Sequence, residues 1–384
     1  AQAILTVAQS YGRGIHPRSS GTWSALLGVG RMRARGLGAP KAQFAADRRM
    51  RCDARLLEAE FGARWPGLLV ALRQPKRYSA WLNPFAAEGR DFLAQHGFAP
   101  VPLETSRPAH LWAPGPGSGV LPKPPRCVST GLKSYYPLDL ASALPALAAL
   151  ECCGRRDAQV LDACAAPGGK LLVLAGALLA GGQDTGPAPP SRLLALEKDR
   201  FRLGRLRQNL QLYLPAWARD RVDAVAGDAA LTKLRSSRGT PCFRAVLVDA
   251  PCSSERERLR RDMARAGEGL AVPLVWFAGQ VRVNAVRQVK LLRAALTRAE
   301  PGGSVVYATC ALSKLENDDV VAEVLRWAPP GWQCRSGRRG VRTDPLASVL
   351  VASDVITEET EFGCRVLPDM GGWGPIYWSI LEGP

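Results

Sequence analysis

"AQVLDACAAPGGKLLVLAGALLAGG", residues 158–182, decides the fold. A short apolar run closes at Asp162 and a cluster of small residues, and an apolar segment of helical length follows at once. A buried strand that turns over small residues into a helix is the opening unit of a parallel α/β sheet. Gly168 and Gly169 have no side chains, so the main chain there can come close to a ligand. The turn is neither a G-x-G-x-x-G dinucleotide fingerprint nor a G-x-x-x-x-G-K-[ST] phosphate loop.

The alternation continues outward. "SRLLALEKD", "RVDAVAGDAA", "FRAVLVDAPCS" and "SVVYATCALS" read as four further strands. "RFRLGRLRQNLQLYL" and "VNAVRQVKLLRAALTRAEPGG" read as helices between them. This predicts an α/β, Rossmann-like domain with a mostly parallel sheet, binding its ligand beyond the carboxyl ends of the strands. "YYPLDLASALPALAALE" (135–151) reads as one helix packed on that sheet, and "WAPGPGSGVLPKPPRC" (112–127) as a linker. From Asp47 onward, apolar residues at three- and four-residue steps predict helices. The expected organisation is a basic leader over 1–46, a smaller, mainly helical RNA-recognition region over 47–130, and a catalytic domain over 131–384. "GGQDTGPAPP" (181–190) reads as a surface insertion.

With 47% hydrophobic residues the chain can build a full core, and a formal charge of +17 points to a polyanionic partner, above all nucleic acid. The alternative is a charged surface serving solubility alone. Ten cysteines without C-x-x-C spacing and three scattered histidines predict reduced thiols and no metal site. No apolar run is long enough for a membrane span. Residues 1–46 hold no Asp or Glu but carry Arg13, Arg18, Arg31, Arg33, Arg35 and Lys41. That composition suits an organelle transit peptide, or else a basic arm that touches RNA.

Glu197 and Asp228 close the second and third strands, where one carboxylate can accept from ribose hydroxyls and the other from an adenine amine. Acids at strand ends also serve as ordinary caps. In this order, without a phosphate cradle, they fit S-adenosyl-L-methionine. The fourth and fifth strands each end in a cysteine, Cys252 and Cys310. Carbon 5 of a pyrimidine is a poor nucleophile until a thiolate adds at carbon 6, and such covalent catalysis explains a thiol at this place. Asp249 is placed to meet charge on the ring, Lys170 is a candidate cation for the thiolate, and a second thiol could assist release. Chemistry alone does not order the two cysteines.

"LDACAAPGGK", "VDAPCSSER" and "PGGSVVYATCALSKLENDDVV" resemble the motifs of the Nop/Sun family of RNA cytosine-5 methyltransferases, over roughly residues 130–384. The resemblance implies Cys310 as nucleophile and Cys252 as the residue that assists release. It also implies cofactor contacts from Ala166, Pro167, Gly168, Gly169, Lys170, Glu197, Arg202, Asp228 and Asp249. "VLPDMGGWGPIYWSILE" is similar to the end of the mitochondrial branch, and implies a matrix enzyme. "LKSYYPLDLASALP", "RLRQNLQLYLP" and "LSKLEN" favour the branch acting on the wobble cytosine of methionine tRNA. "EFGARWPGLL" favours the branch acting on small-subunit rRNA, which implies a role in ribosome assembly and a partner like a mitochondrial transcription-termination factor. A non-catalytic RNA-binding assembly scaffold is the alternative from another class. Ala229 stands where glycine is common in the family, and Ile376 where methionine is.

"SERERLRRDMAR" holds five arginines between Ser254 and Arg265, with Arg256, Arg260 and Arg261 the expected phosphate contacts. A solvated helix face is the alternative. The target base has to be splayed from its stack, which favours a loop substrate.

Overall fold

The computed structural model describes residues 54–86, 88–115, 118–154, 158–180, 191–232, 243–267, 272–340, 344–350 and 353–384. The segments 1–46, expected as a leader, and 181–190, expected as an insertion, lie outside the described residues.

The chain opens with helices α1 (Arg55–Phe61) and α2 (Trp65–Arg73), then strand β1 (Ser79–Leu82), helix α3 (Gly89–Gln95) and strands β2 (Phe98–Pro100) and β3 (Leu111–Pro114). Strand β4 (Tyr135–Leu138) completes a small antiparallel sheet in the order β2-β3-β1-β4. The expected helices are therefore present, joined by a sheet that the apolar pattern did not show. The span 135–151 is not one helix. Its first four residues pair with β1, and helix α4 (Leu140–Cys153) starts behind Asp139, whose carboxylate accepts from Ala141 N. Trp112 to Pro114, expected in a linker, belong to β3.

The second sheet contains β5 (Gln159–Asp162), helix α5 (Gly169–Leu179), β6 (Arg192–Glu197), α6 (Arg200–Tyr213), α7 (Ala216–Arg219) and β7 (Val222–Ala226). It continues through β8 (Phe243–Asp249), α8 (Glu255–Ala266), α9 (Ala278–Leu296) and β9 (Ala299–Thr309). Its parallel core runs β9-β8-β5-β6-β7. After helix α10 (Asp318–Trp327), β10 (Gln333–Cys334), α11 (Pro345–Val349), β11 (Glu358–Glu359) and β12 (Cys364–Val366), the last strand β13 (Ile376–Glu382) pairs antiparallel with β9. Sequence order turns back between β5 and β8, so the ligand crevice falls there.

Alternate residues of the central strands feed opposite faces. Val160, Leu247 and Val306 pack with α4 and α5, while Leu161, Val246 and Val305 pack with α9 and α10. A third apolar cluster joins Leu57, Trp65, Leu68 and Leu72 of the N-terminal helices to Leu259, Trp276, Leu312 and Leu367. It seats those helices against the loops that carry the cysteines.

Candidate active site

Strand register brings the two cysteines together. Asp249 of β8 pairs with Ala308 of β9 in parallel, and Ala250 N donates to Ala308 O at 2.8 Å. Cys252 and Cys310 then emerge side by side, half-buried, with their sulfurs 3.3 Å apart. Ser254 Oγ touches both, at 3.4 Å from Cys252 Sγ and 3.2 Å from Cys310 Sγ. Ser254 holds φ +50°, in the left-handed region that side chains other than glycine seldom occupy. That conformation turns the chain sharply between Cys252 and helix α8.

Hydrogen bonding separates the two thiols more than charge does. Lys170 and Lys76 act on Cys310 together with the carboxylates of Asp249 and Glu255, and the carboxylate of Glu316 acts on Cys252. The bond from Cys252 lowers Cys310 below the ordinary thiol range. The same bond, burial and the Glu316 charge raise Cys252 well above it. Both directions favour the proton of the pair on Cys252 and the negative charge on Cys310.

Lys170 Nζ donates to Asp249 Oδ2 at 2.8 Å. Burial alone would lower Lys170, but the Asp249 carboxylate outweighs it and keeps the ammonium charged. The sequence brought these residues together for different reasons, and the structure makes them an ion pair beside Cys310.

A hollow lies over the ends of β5, β6 and β7, lined by Cys164, Glu197, Phe201, Arg202, Asp228 and Pro251 among others. Glu197 Oε1 accepts from Asp199 N at 2.9 Å, while its Oε2 is buried without a hydrogen-bond partner. The closest cation to that oxygen is Arg202, at 3.6 Å. An open acceptor at the end of the second strand fits a ribose hydroxyl. Asp228 is held by Lys198 at 2.7 Å and by Ala230 N at 3.0 Å. Burial would raise Asp228, but Lys198 overrides it and keeps the carboxyl low. Ala166, Pro167, Gly168 and Gly169 do not line this hollow, and instead form the turn into α5. Arg202 donates to Ala166 O, and Asn209 Nδ2 donates to Pro167 O at 2.8 Å. Gly168 has φ +113°, and a Cβ there would meet Leu206 Cδ1 at 2.8 Å, so the turn tolerates no side chain. Sequence reasoning missed Phe201, 88% exposed on the rim, and Asn209. The position of Phe201 directly after "EKDR" was the available signal for the first.

The arginines of α8 divide. Arg256, expected on a phosphate, is only 2% exposed and turned into the protein. It donates to Gly374 O and, at 3.4 Å, to Gly372 O. The reason is its face of the helix, shared with Glu255 and Leu259, both buried. Arg260 is half-buried and donates to Gln74 O at 2.6 Å, while Arg261 is exposed. Of the N-terminal aromatics, Trp65, Trp81 and Trp112 are core, and Tyr78 is 48% exposed. Among the described residues no cluster of His, Cys, Asp or Glu could hold a metal, and no helix is long and apolar enough to cross a membrane.

A parallel sheet with an acid at the end of each cofactor strand, and two thiols in contact at the next two strand ends, has the architecture of a class I methyltransferase. A family model described as 16S rRNA methyltransferase RsmB/F matches residues 153–334. The 5-cytosine rRNA methyltransferase NSUN4 of Mus musculus is 32% identical over 358 residues, covering 84% of this chain and 85% of the relative. The mitochondrial tRNA (cytosine(34)-C(5))-methyltransferase of Mus musculus is 36% identical over 256 residues, covering 65% of this chain and 64% of that relative. The solved structure of NSun6 from Pyrococcus horikoshii superposes with a TM-score of 0.57 at 16% identity, covering 86% of this chain and 97% of that one, a likeness of fold. The chain belongs to the Nop/Sun family of S-adenosylmethionine-dependent RNA cytosine-5 methyltransferases.

Proposed function

We propose that this enzyme methylates carbon 5 of a cytosine in mitochondrial RNA, with Cys310 as nucleophile and Cys252 as the residue that assists product release. The observation that carries the assignment is the 3.3 Å contact between the two sulfurs, with two lysines on the side of Cys310. Glu197 and Asp228, which line the hollow, are the residues that would hold S-adenosylmethionine, which would supply an electrophilic methyl group, and the family resemblance adds the turn at Ala166–Gly169 beside it. Cys310 Sγ bonds to carbon 6, and the ring electrons move toward carbon 5 and the ring nitrogen. The Lys170 ammonium, held by Asp249 at 2.8 Å, faces the negative charge that develops there. Once carbon 5 is methylated and has lost its proton, the C6–S bond breaks and the thiol leaves. Cys252 carries the proton nearest to that departing sulfur. Arg260 and Arg261, beside the strand ends, are phosphate contacts for the flanking nucleotides.

The tRNA anticodon in the mitochondrial matrix is the first substrate reading, supported by the higher identity to the tRNA enzyme. The rRNA reading, with its transcription-termination-factor-like partner, is supported by an alignment that reaches over 84% of this chain. Bisulfite sequencing of mitochondrial tRNA and rRNA, with and without the protein, separates them. Loss of an rRNA signal with the anticodon unchanged would reject the tRNA reading. For the chemistry, Cys310→Ala is expected to end methyl transfer and keep RNA binding, while Cys252→Ala accumulates protein covalently attached to RNA. Methyl transfer by Cys310→Ala would reject the assignment.

A further inference from the structure

Directly behind the cysteines, three buried side chains make more oxygen contacts than they have hydrogens. Ser253, Glu255 and Glu316 are 4%, 1% and 0% exposed. Ser253 Oγ lies 2.5 Å from Glu255 Oε1 and in equally close contact with Glu316 Oε2. A hydroxyl carries one hydrogen, and two ionised carboxylates offer none. With both acids ionised, one of these contacts would press two acceptors together. One carboxyl of the trio therefore keeps a proton. Burial and the neighbouring Glu255 charge push Glu316 up to about 7, and burial raises Glu255 as well.

The trio is tied to both cysteine loops. Glu316 Oε1 accepts from Ser253 N at 3.1 Å, one residue after Cys252. It also accepts from Gln288 Nε2 at 2.9 Å, and the same amide reaches Pro251 O at 2.9 Å. Glu255 Oε2 accepts from Leu312 N at 3.2 Å, two residues after Cys310.

We propose that Ser253, Glu255 and Glu316 are positioning residues that share one carboxyl proton and thereby hold the Cys252 loop against the Cys310 loop. The proposal rests on the two-thiol reading above and assigns what keeps the thiols unequal. While the proton is present, the trio carries one negative charge and its two bridges stand. When it leaves, the carboxylates repel across Ser253 Oγ and the tie between the loops opens. The groups that face the trio are Cys252 and Cys310 at the strand ends, Tyr307 of β9 and Arg258 of α8, with Asn284 and Gln288 of α9 and the Trp276 indole. Tyr307 donates to Glu316 O at 2.6 Å and Arg258 to Ser253 O at 3.3 Å, so both bond main chain and leave the carboxyl proton to the trio.

The test is alkylation of the full chain by iodoacetamide, without RNA, with the Cys252 and Cys310 peptides quantified by mass spectrometry at several pH values. In the unaltered protein, Cys310 is expected to react about tenfold or more faster than Cys252 below neutrality, and that ratio to fall as pH passes about 7. Glu316→Gln supplies an amide hydrogen that never ionises, and should flatten the dependence of the ratio on pH. Ser253→Ala removes the bridge, and should bring the two rates within about threefold at every pH. In RNA methylation it should lower kcat by about tenfold or more with KM for RNA little changed. Melting temperature and S-adenosylhomocysteine binding monitor the fold, and Glu255→Gln is the second isosteric variant, also expected to flatten the profile. A ratio indifferent to pH in the unaltered protein, or wild-type ratios in Ser253→Ala, would overturn the proposal. Alkylation needs no methyl transfer, so such a result leaves the covalent mechanism standing. Absence of an RNA adduct would reject that mechanism and leave the alkylation ratios as measured.

Discussion

Cys252 Sγ and Cys310 Sγ are in contact at 3.3 Å, without a bond between them. A disulfide requires about 2.05 Å, so oxidation has only a short distance to close. Diamide, accepting two electrons and two protons, is expected to join these sulfurs before the more deeply buried thiols Cys152 and Cys153, which burial raises to about 11 and about 12. Methyl transfer should stop and return with dithiothreitol. Peptide mapping checks the pairing, and a first-formed disulfide elsewhere would contradict the geometry.

The Lys170–Asp249 pair ties the cofactor turn to the end of β8 at 2.8 Å. Lys170→Ala removes the cation that faces Cys310 and frees the acid that faces the base. Single-turnover methyl transfer is expected to slow by about 100-fold or more, the scale seen when one preorganised charge is lost. RNA affinity measured at the same salt should change by no more than about threefold. A fall in affinity with an intact rate would place Lys170 in binding instead.

Asp162 closes β5 at 1% exposure, and burial, with the nearby Asp249 charge, raises it from 3.8 to about 7. The folded protein then binds a proton that the unfolded chain has already lost between those two values. Stability from this group is full below the unfolded value, declines as pH rises, and reaches its minimum above the folded value. Asp162→Asn removes the dependence. The stability of Asp162→Asn relative to the unaltered protein should therefore grow by about 1–3 kcal/mol between about pH 5 and pH 7.5. Denaturant unfolding at the two pH values measures it, and a constant difference would refute the assignment.

The parts of the site that were legible in the sequence are those where one strand carries its own signal. The apolar run into "DACAAPGG" marked β5 and its turn, and Glu197, Asp228, Cys252 and Cys310 each stand at the close of such a run. What stayed hidden depends on partners far along the chain. Ser253 and Glu316 are 63 residues apart, and nothing in either segment announces the other. Strands β1, β2 and β3 are three or four residues long, too short for a period to show. β4 was absorbed into the following helix because "YYPLDLASALP" is apolar apart from Asp139 and Ser142. Asp139 was the available break, since an acid that caps its own helix marks a start. Arg256 was misread because a run of arginines suggests solvent, although its three-residue step to Leu259 placed it on the buried face.

That division of the α8 arginines separates structural from RNA contacts. Arg261 is exposed, so Arg261→Ala should weaken RNA binding without changing the melting temperature. Losing one phosphate contact should also lower the slope of log affinity against log salt by about 1. Arg256 bonds the Gly372–Gly374 loop from inside the protein. Arg256→Ala therefore leaves buried carbonyls without a donor and opens a cavity, at a cost of about 1–3 kcal/mol in stability. Its RNA salt slope should match that of the unaltered protein once both are compared well below their melting temperatures. Binding isotherms at three salt concentrations, paired with thermal melts, distinguish the two. A reduced slope for Arg256→Ala would mean that this guanidinium reaches RNA after all, and that α8 turns outward when the substrate binds.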